Sequence, residues 1–277
     1  MSTIGSTMRA ELVGAGGVVE RNAYLTKRYI WWDLAWFVWT VANTLTIVFI
    51  AKGIEAEGGT LDVEETMTTL LIGAVVWAYL GILFEFLTET VAWERWEGTI
   101  EYTFMAPLPR AVHLLGMGAF AVLYGVLRTA ALFAVVAIFF GLSFPDADFG
   151  AAFLLLAVAS ISFVGVGMVT AVLPLISPEK GAQLGFIAQG LLLVVSGVYY
   201  PVDVMPGWMQ AIATISPATY ALEGIRAALL DGAGVAAVWG DLWPLLVLGV
   251  VAIPAGLAVF RAGERYAKRT GSLKRNG

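Results

Sequence analysis

The sequence predicts an all-α integral membrane protein whose chain crosses the bilayer six times, and three observations carry this prediction. Hydrophobic residues make up 59% of the 277 residues and charged residues only 13%, whereas soluble domains have about 25% charged residues. The mean hydropathy is +0.82. Six apolar stretches are long enough to cross a hydrocarbon core, which takes about 20 helical residues.

A single membrane domain accounts for nearly the whole length. We expect a flexible N-terminus at residues 1–17, a six-span transmembrane domain at 18–260 and a basic tail at 261–277. The first 20 residues have no apolar core after a basic start, so no cleavable signal peptide is expected. The predicted spans lie at about 31–51, 67–90, 114–140, 151–173, 182–198 and 242–260.

The segment VVERNAYLTKRYI at 18–30 has apolar residues that share one helical face, with Lys27 and Arg28 away from it. This pattern favours an amphipathic helix on the membrane surface; the alternative is a water-exposed lead-in to the first span. Three tryptophans then begin that span, as in an interfacial aromatic belt. Asp33, in the same turn, is interpreted as an acid stabilised by the helix dipole.

Basic residues predict the orientation, because cytoplasmic loops carry an excess of Lys and Arg near span ends. An even number of spans places both termini on one side, which we expect to be the cytoplasmic side of the inner membrane. The segments 94–110 and 174–181 are then cytoplasmic, and the segments 52–66, 141–150 and 199–241 face outward. The bases that flank the spans at the two chain ends are Arg21, Lys27, Arg28, Arg261, Arg265, Lys268, Arg269, Lys274 and Arg275.

Several classes of chemistry lack their residues. The chain has no cysteine and one histidine, His113, so thiol catalysis, a His-rich metal site and a Ser–His–Asp triad are not expected. It has neither a GxxxxGK[ST] phosphate loop nor a GxGxxG motif. We therefore predict no catalytic residue, metal or cofactor in this chain, and no nucleic-acid partner.

Charged residues inside the predicted spans are costly in lipid and need a partner or a function. Arg128 lies in the middle of the third span, and Glu85 and Glu89 lie in the second. If these spans are antiparallel neighbours, Glu85 is the natural partner of Arg128. Such a pair either locks two helices together or lines a cavity or gate.

The segment ERWEGTIEYTFMAPLPR, Glu94–Arg110, is a polar interruption between two apolar spans. Glu94, Glu97 and Glu101 recur at spacings of three and four, which predicts one acidic stripe on a helix. Gly98 allows another surface to approach closely. The aromatic residues of the segment favour a docking element over a solvated loop.

The segment 199–241 is apolar in part, yet its prolines divide it into pieces too short to span a bilayer. We expect short helices that enter the outer leaflet and turn back, which is tolerated where protein covers the backbone. Glu223 and Arg226 share a face of the last piece, and an ordinary surface pair is the simplest interpretation.

Together these segments resemble the permease subunit of an ABC transporter of the type-2 exporter class, in its drug- and lipid-export branch. The resemblance covers about 18–265. One motif, between spans two and three, consists of Glu94, Gly98, Thr99 and Pro107. The second motif, between spans five and six, consists of Ser196, Gly197, Tyr200, Pro201, Pro206, Trp208, Pro217, Tyr220, Glu223 and Arg226.

This resemblance implies a homodimer of permease chains paired with two separate ATPase subunits, which bind ATP and Mg. It implies that the interfacial helix and a coupling helix at Glu94, Glu97, Gly98, Thr99 and Glu101 contact the ATPase. It also implies that short outer-leaflet helices close an export pathway for an amphipathic drug-like or lipid-like substrate. A polysaccharide or glycolipid exporter permease, a non-transporting mechanotransmission subunit and an ion-driven secondary transporter remain alternatives.

Overall fold

The computed structural model of the chain describes residues 2–56, 63–142, 144–177 and 179–271. All regular structure in these residues is helical. A single 3-10 turn, Val202–Val204, lies between α8 and α9. The α-helices are α1 (Ser2–Arg28), α2 (Ile30–Ala56), α3 (Val63–Glu97), α4 (Ile100–Met105), α5 (Arg110–Phe140), α6 (Phe149–Thr170), α7 (Leu173–Ile176), α8 (Gly181–Val195), α9 (Gly207–Ala213), α10 (Pro217–Leu230) and α11 (Trp239–Thr270).

Five of the predicted spans are confirmed as helices that are long and apolar enough to cross a membrane. Within the described residues they comprise Ile30–Ile50, Thr66–Glu97, Arg110–Phe140, Phe149–Ile176 and Trp239–Thr270. Three of them extend well beyond the predicted boundaries, because charged residues at their ends continue the helix outside the apolar stretch. The basic tail is thus helical as far as Thr270, and Lys274 and Arg275 lie outside the described residues.

The predicted fifth span, 182–198, differs from the others. The helix here, α8, has 15 residues and rises about 22 Å at 1.5 Å per residue, which is less than the hydrocarbon core of about 30 Å. It ends early because Ser196 Oγ bonds back to the Leu192 carbonyl at 2.6 Å and Gly197 takes a left-handed φ of 67°.

The N-terminal segment at 1–17, expected to be loosely ordered, is helical from Ser2 onward. The helix α1 is held on α5, since a Cβ at Gly116 would lie 2.9 Å from Val18 Cβ and one at Gly14 would lie 2.4 Å from the Leu108 side chain. This packing fixes the C-terminal half of α1, from which the helix extends toward the N-terminus. Only Tyr29 separates α1 from α2.

Glycines allow α6 and α11 to pack at backbone distance. A Cβ at Gly165 would lie 2.5 Å from the Ala252 backbone, and one at Gly256 would lie 2.5 Å from the Gly165 carbonyl oxygen. Ser162 Oγ also donates to the Leu245 carbonyl at 3.1 Å. Small residues and interhelical hydrogen bonds of this kind drive helix association in lipid, where apolar burial gives no net gain.

The helix α3 lies at the centre of the bundle and is bound to α6 by two hydroxyl pairs. Tyr79 bonds Ser160 at 2.6 Å, and Thr88 bonds Thr170 at 2.8 Å. These pairs show that α3 and α6 run in the same direction. Gly185 of α8 also approaches Thr88, so α8 packs against α3 as well.

The bundle has two distinct ends. The α4 end brings together α1, α4, the start of α5 and the C-terminal part of α11, through ion pairs at Arg21 and Arg110. At the far end the Asp148 amide donates to the Ala228 carbonyl at 2.8 Å, which joins the start of α6 to the end of α10. The C-terminal part of α1 and that of α11 therefore lie together at the α4 end.

We predict that Gly256→Ala destabilises the bundle, because the new Cβ forces α6 and α11 apart. Overpacking of this kind costs about 1–3 kcal/mol. Thermal unfolding in detergent, followed by circular dichroism, should show a lower midpoint for this variant. The matched control is Gly240→Ala in the same helix, where a Cβ meets nothing within 4 Å; equal midpoints for the two variants would contradict the close α6–α11 contact.

Candidate functional site

The segment 94–110 forms a sharp corner between α3 and α5. Gly98 has a φ of 76°, a left-handed conformation that ends α3 at Glu97. The Thr99 amide bonds the Glu94 carbonyl at 2.9 Å, and the Thr99 hydroxyl approaches the same oxygen at 3.4 Å. The short helix α4 follows and is anchored by Ile100, which is 1% exposed. Gly98 and Thr99 thus set the angle at which α4 leaves the bundle.

The predicted acidic stripe does not form. Glu94 is buried, and its Oε1 lies 2.7 Å from Arg21 Nη1 of α1, whereas Glu97 and Glu101 are exposed. Two causes act: Glu94 is buried against Arg21, and the break at Gly98 separates Glu101 from the helix that carries Glu94 and Glu97. Glu94 therefore joins α1 to α3, and the exposed acids of this corner are Glu97 and Glu101.

The corner presents aromatic and apolar side chains as well as acids. Trp96, Tyr102 and Met105 are 72%, 72% and 70% exposed, and Trp93 is 42% exposed. Trp93 also contacts the Trp96 ring at a centroid distance of 5.1 Å. Among the described residues these side chains, with Glu97 and Glu101, form the outer surface of the corner, which we call the α4 surface.

Arg110 fixes α4 to α11, a role that the sequence pattern does not predict. Its Nε lies 3.1 Å and 3.2 Å from the two carboxylate oxygens of Glu264. Its Nη1 donates to the Thr103 carbonyl at 3.2 Å, and its Nη2 donates to the Phe104 carbonyl. Arg110 thus satisfies carbonyls near the C-terminal end of α4, which have no partner within the helix.

Aromatic packing and a second base complete this contact. The Phe104 ring lies 6.5 Å from the Phe260 ring and 4.4 Å from the Arg110 guanidinium carbon. Lys268 Nζ donates to Glu264 at 2.6 Å. One sequence signal could have indicated this site: Glu264 is the single acid among the bases of 261–277.

The intramembrane Arg128 has a different partner from the predicted one. Its Nη1 lies 3.3 Å from Asp33 Oδ1 and 3.2 Å from the Tyr124 hydroxyl, which itself donates to Asp33. No ion pair joins Arg128 to Glu85 in the described part of the chain. The helix α2 packs beside α5 and brings Asp33 to Arg128, while Glu85 faces Gln189 of α8. Asp33 is thus a paired acid and not only a helix-start residue.

The predicted signature between α8 and α11 forms a connected turn and helix. Ser196 Oγ bonds Ser216 Oγ at 2.8 Å, and the Thr219 hydroxyl approaches the Ser196 carbonyl at 3.4 Å. The Tyr200 hydroxyl donates to the Val194 carbonyl at 2.6 Å, and that of Tyr220 donates to the Thr214 carbonyl at 2.7 Å. Tyr200 therefore binds the C-terminal end of α8, and Tyr220 of α10 binds the C-terminal end of α9.

The prolines of this segment begin its short helical pieces. Pro201 precedes the 3-10 turn, Pro206 precedes α9 and Pro217 is the first residue of α10, positions where the missing amide hydrogen costs nothing. Trp208 is 66% exposed on α9. By contrast, α10 lies among α3, α6 and α11, with Ala221 and Leu222 fully buried. Protein therefore covers the backbone of α10, as expected for a helix too short to span.

The expected pair of Glu223 and Arg226 is not an ion pair in the described residues. Arg226 instead donates to the carbonyls of Gly197 at 3.2 Å and Val198 at 2.5 Å, just after the end of α8. Burial lowers the pKa of the Arg226 guanidinium, and Glu223 opposes that shift. Partial burial and Asp241 raise the pKa of Glu223, and Arg226 opposes this. Arg226 thus holds the turn at Gly197 against α10.

In the part of the chain that the structure describes, no three His, Cys, Asp or Glu side chains come together as metal ligands. The arrangement offers mechanical connections between helices, and one exposed surface at a corner.

Comparison with known proteins identifies one family and two similar permeases. The sequence profile of the ABC-2 type transporter family matches residues 25–230. The chain is 26% identical over 173 residues to the probable multidrug ABC transporter permease YbhR of Escherichia coli strain K12, covering 62% of this chain and 46% of that protein. It is 31% identical over 102 residues to the linearmycin resistance permease protein LnrN of Bacillus subtilis strain 168, covering 37% and 26%. The aligned part spans less than half the length of either relative.

We predict that Arg128 is coupled energetically more strongly to Asp33, its direct partner, than to Glu85. A hydrogen bond to a charged group contributes about 1.5–3 kcal/mol, so a double-mutant cycle with alanine at positions 33 and 128 should give a coupling energy of about 1–3 kcal/mol. The same cycle at positions 85 and 128 should give a smaller value, because no direct ion pair joins these two side chains in the described residues. Unfolding in detergent supplies both values, and a larger coupling at position 85 would restore the original pairing.

Proposed function

Because this chain belongs to the ABC-2 type transporter family, we propose that it is the transmembrane subunit of an ATP-driven exporter. A separate ATPase subunit supplies the energy. It binds the ATP and Mg, for which this chain has no phosphate loop. The proposed complex contains two permease chains and two ATPase subunits in the inner membrane.

The observation that carries this proposal is the α4 surface. It joins exposed aromatic side chains with two exposed acids, Glu97 and Glu101. Exposed apolar side chains grouped beside polar ones are typical of a protein contact. The corner is also joined to α1 through Arg21 and to α11 through Glu264. A force on α4 therefore reaches several spans at once.

The topology that we propose has six crossings with both termini in the cytoplasm. The helix α8, followed by residues 196–198, runs beside α3 from Thr88 to Gly73, since a Cβ at Gly185 approaches Thr88 and one at Gly73 approaches the Val198 carbonyl. This antiparallel path supports α8 as the short crossing. The basic residues of α1 and α11 then face the cytoplasm, and α1 is the helix that we assign to the membrane interface.

The far end is the proposed outer gate. Its components are the turn at Gly197, the exposed helix α9 and the buried helix α10. Arg226 binds the turn directly, so a movement of α10 would change the end of α8.

The exposed surface of α2 is the proposed contact with lipid or with the second permease copy. Trp31, Trp32 and Trp39 of this helix are 80%, 68% and 62% exposed. Apolar surface of this kind faces either lipid or another membrane helix, and it supports a peripheral position for α2.

The proposed substrate is an amphipathic drug-like or lipid-like molecule. The names of the two relatives refer to multidrug transport and to linearmycin resistance, and we extend that class to this chain. We propose export as opposed to import, and the word resistance in the name of one relative supports that direction.

We predict that Glu97→Arg reduces transport and the associated ATPase activity by about tenfold, the effect of 1.4 kcal/mol at the contact. Reversal of an exposed charge should weaken docking while leaving the fold intact, since Glu97 is exposed and forms no ion pair within the described residues. The measurement is ATP hydrolysis and Nile red efflux by the complex in reconstituted vesicles. The control is Asp231→Arg, an exposed charge reversal at the far end.

Two results would count against the proposal. Full activity of the Glu97→Arg complex would remove α4 as the docking element. If the native complex hydrolyses ATP but Nile red and other amphipathic compounds neither move nor stimulate hydrolysis, the chain is a mechanotransmission subunit and not an exporter.

A further inference from the structure

The contact between α4 and α11 connects the proposed docking corner with the opposite end of the molecule. Starting from Glu264 and Phe260, which hold α4, the helix α11 continues without interruption to Asp241. These 23 residue steps correspond to about 35 Å at 1.5 Å per residue. At its other end α11 packs against α10, because a Cβ at Gly224 would lie 3.2 Å from Asp241 Cβ. One helix thus touches both α4 and α10.

Lateral support lets α11 transmit movement along its length. The glycine contacts with α6 at Gly165, Gly249 and Gly256 hold the two helices at backbone distance on both sides of Pro254. A proline inside a helix is a usual bending point, and here it is flanked by these contacts. Close-packed helices shift as units, since their packing is not continuously deformable.

We propose that Arg110 and Glu264 are positioning residues that make α11 the transmission element from α4 to α10. This inference rests on the proposed function, because the ATPase would supply the movement at α4. Arg110 holds α4 through two carbonyls and holds α11 through a two-oxygen contact with Glu264, so that α4 and α11 move together. The ion pair is nearly dry, with side-chain exposures of 14% for Arg110 and 9% for Glu264.

The planar guanidinium suits this double role. It presents five donors in fixed directions and can bind a carboxylate and backbone carbonyls at once. A lysine at position 110 can pair with Glu264, but its compact ammonium cannot reproduce the whole set. Lys268 approaches Glu264 from the solvent side and is 52% exposed, so it cannot replace Arg110 between the helices.

The test measures the far end while the change is made at the α4 end. The chain has no cysteine, so Ala211→Cys on α9 provides a single attachment point for an environment-sensitive fluorophore. The complex with its ATPase, in nanodiscs, should show an ATP-dependent change of emission at this label. We expect Glu264→Gln to abolish most of this change although the ATPase remains bound, and Arg110→Lys to retain part of it.

The control variant is Arg265→Gln, which removes an exposed charge next to Glu264 and should leave the emission change intact. A second measurement needs no ATPase: spin labels at Glu101→Cys and Tyr266→Cys report the α4–α11 distance in the purified chain. We expect a narrow distance distribution in the otherwise native chain and a broad one with Glu264→Gln.

The outcomes separate the inference from its premise. An undiminished emission change with Glu264→Gln would overturn the transmission role and leave the proposed function standing. An unchanged α4–α11 distance distribution with Glu264→Gln would overturn the positioning role of the ion pair. A native complex that hydrolyses ATP and moves Nile red but gives no ATP-dependent emission change would also overturn the transmission role and leave the proposed function standing. If the native chain binds no ATPase, the proposed function fails, and the transmission role fails with it.

Discussion

The guanidinium of Arg110 is the interaction on which the α4 end depends. Arg110 is the first residue of α5. Its guanidinium donates to the carbonyls of Thr103 and Phe104 in α4 and to the carboxylate of Glu264 in α11. A six-residue helix has no stability of its own in water. Its position is therefore set by this contact, by the buried Ile100 and by the turn at Gly98.

A second constraint concerns the interior of the bundle. Lipid offers no hydrophobic gain for helix association, so contact between spans depends on close packing and polar pairs. The structure meets this need with glycines between α6 and α11 and with hydroxyl pairs between α3 and α6. The peripheral helix α2 lacks such glycines and is attached to α5 through Asp33, Tyr124 and Arg128. This difference explains why α2 has so much exposed surface while α6 is largely buried.

Much of this arrangement could be predicted from the sequence, and the failures have physical reasons. Apolar length predicted six spans, of which five are long helices, and the proline pattern predicted the starts of α9 and α10. Partner choice was not predictable: Arg128 pairs with Asp33 and not Glu85 because helix neighbours, which hydropathy does not reveal, decide it. The prediction of an acidic stripe is wrong in part because the left-handed φ of Gly98 ends α3 before Glu101. The sequence alone does not reveal the φ of a glycine. Arg110 and Glu264 are 154 residues apart, beyond any local pattern.

The central claim is that α4 receives the force of a separate ATPase, and cross-linking from α4 tests it most directly. A photoreactive amino acid at position 102 replaces the exposed Tyr102 of the α4 surface, and one at position 139 replaces the exposed Phe139 near the far end. The account predicts that position 102 cross-links in membranes to a protein whose sequence contains an ATP-binding phosphate loop, that ATP changes the yield, and that position 139 gives no such product. An ATPase captured from position 139 but not from position 102 would contradict it.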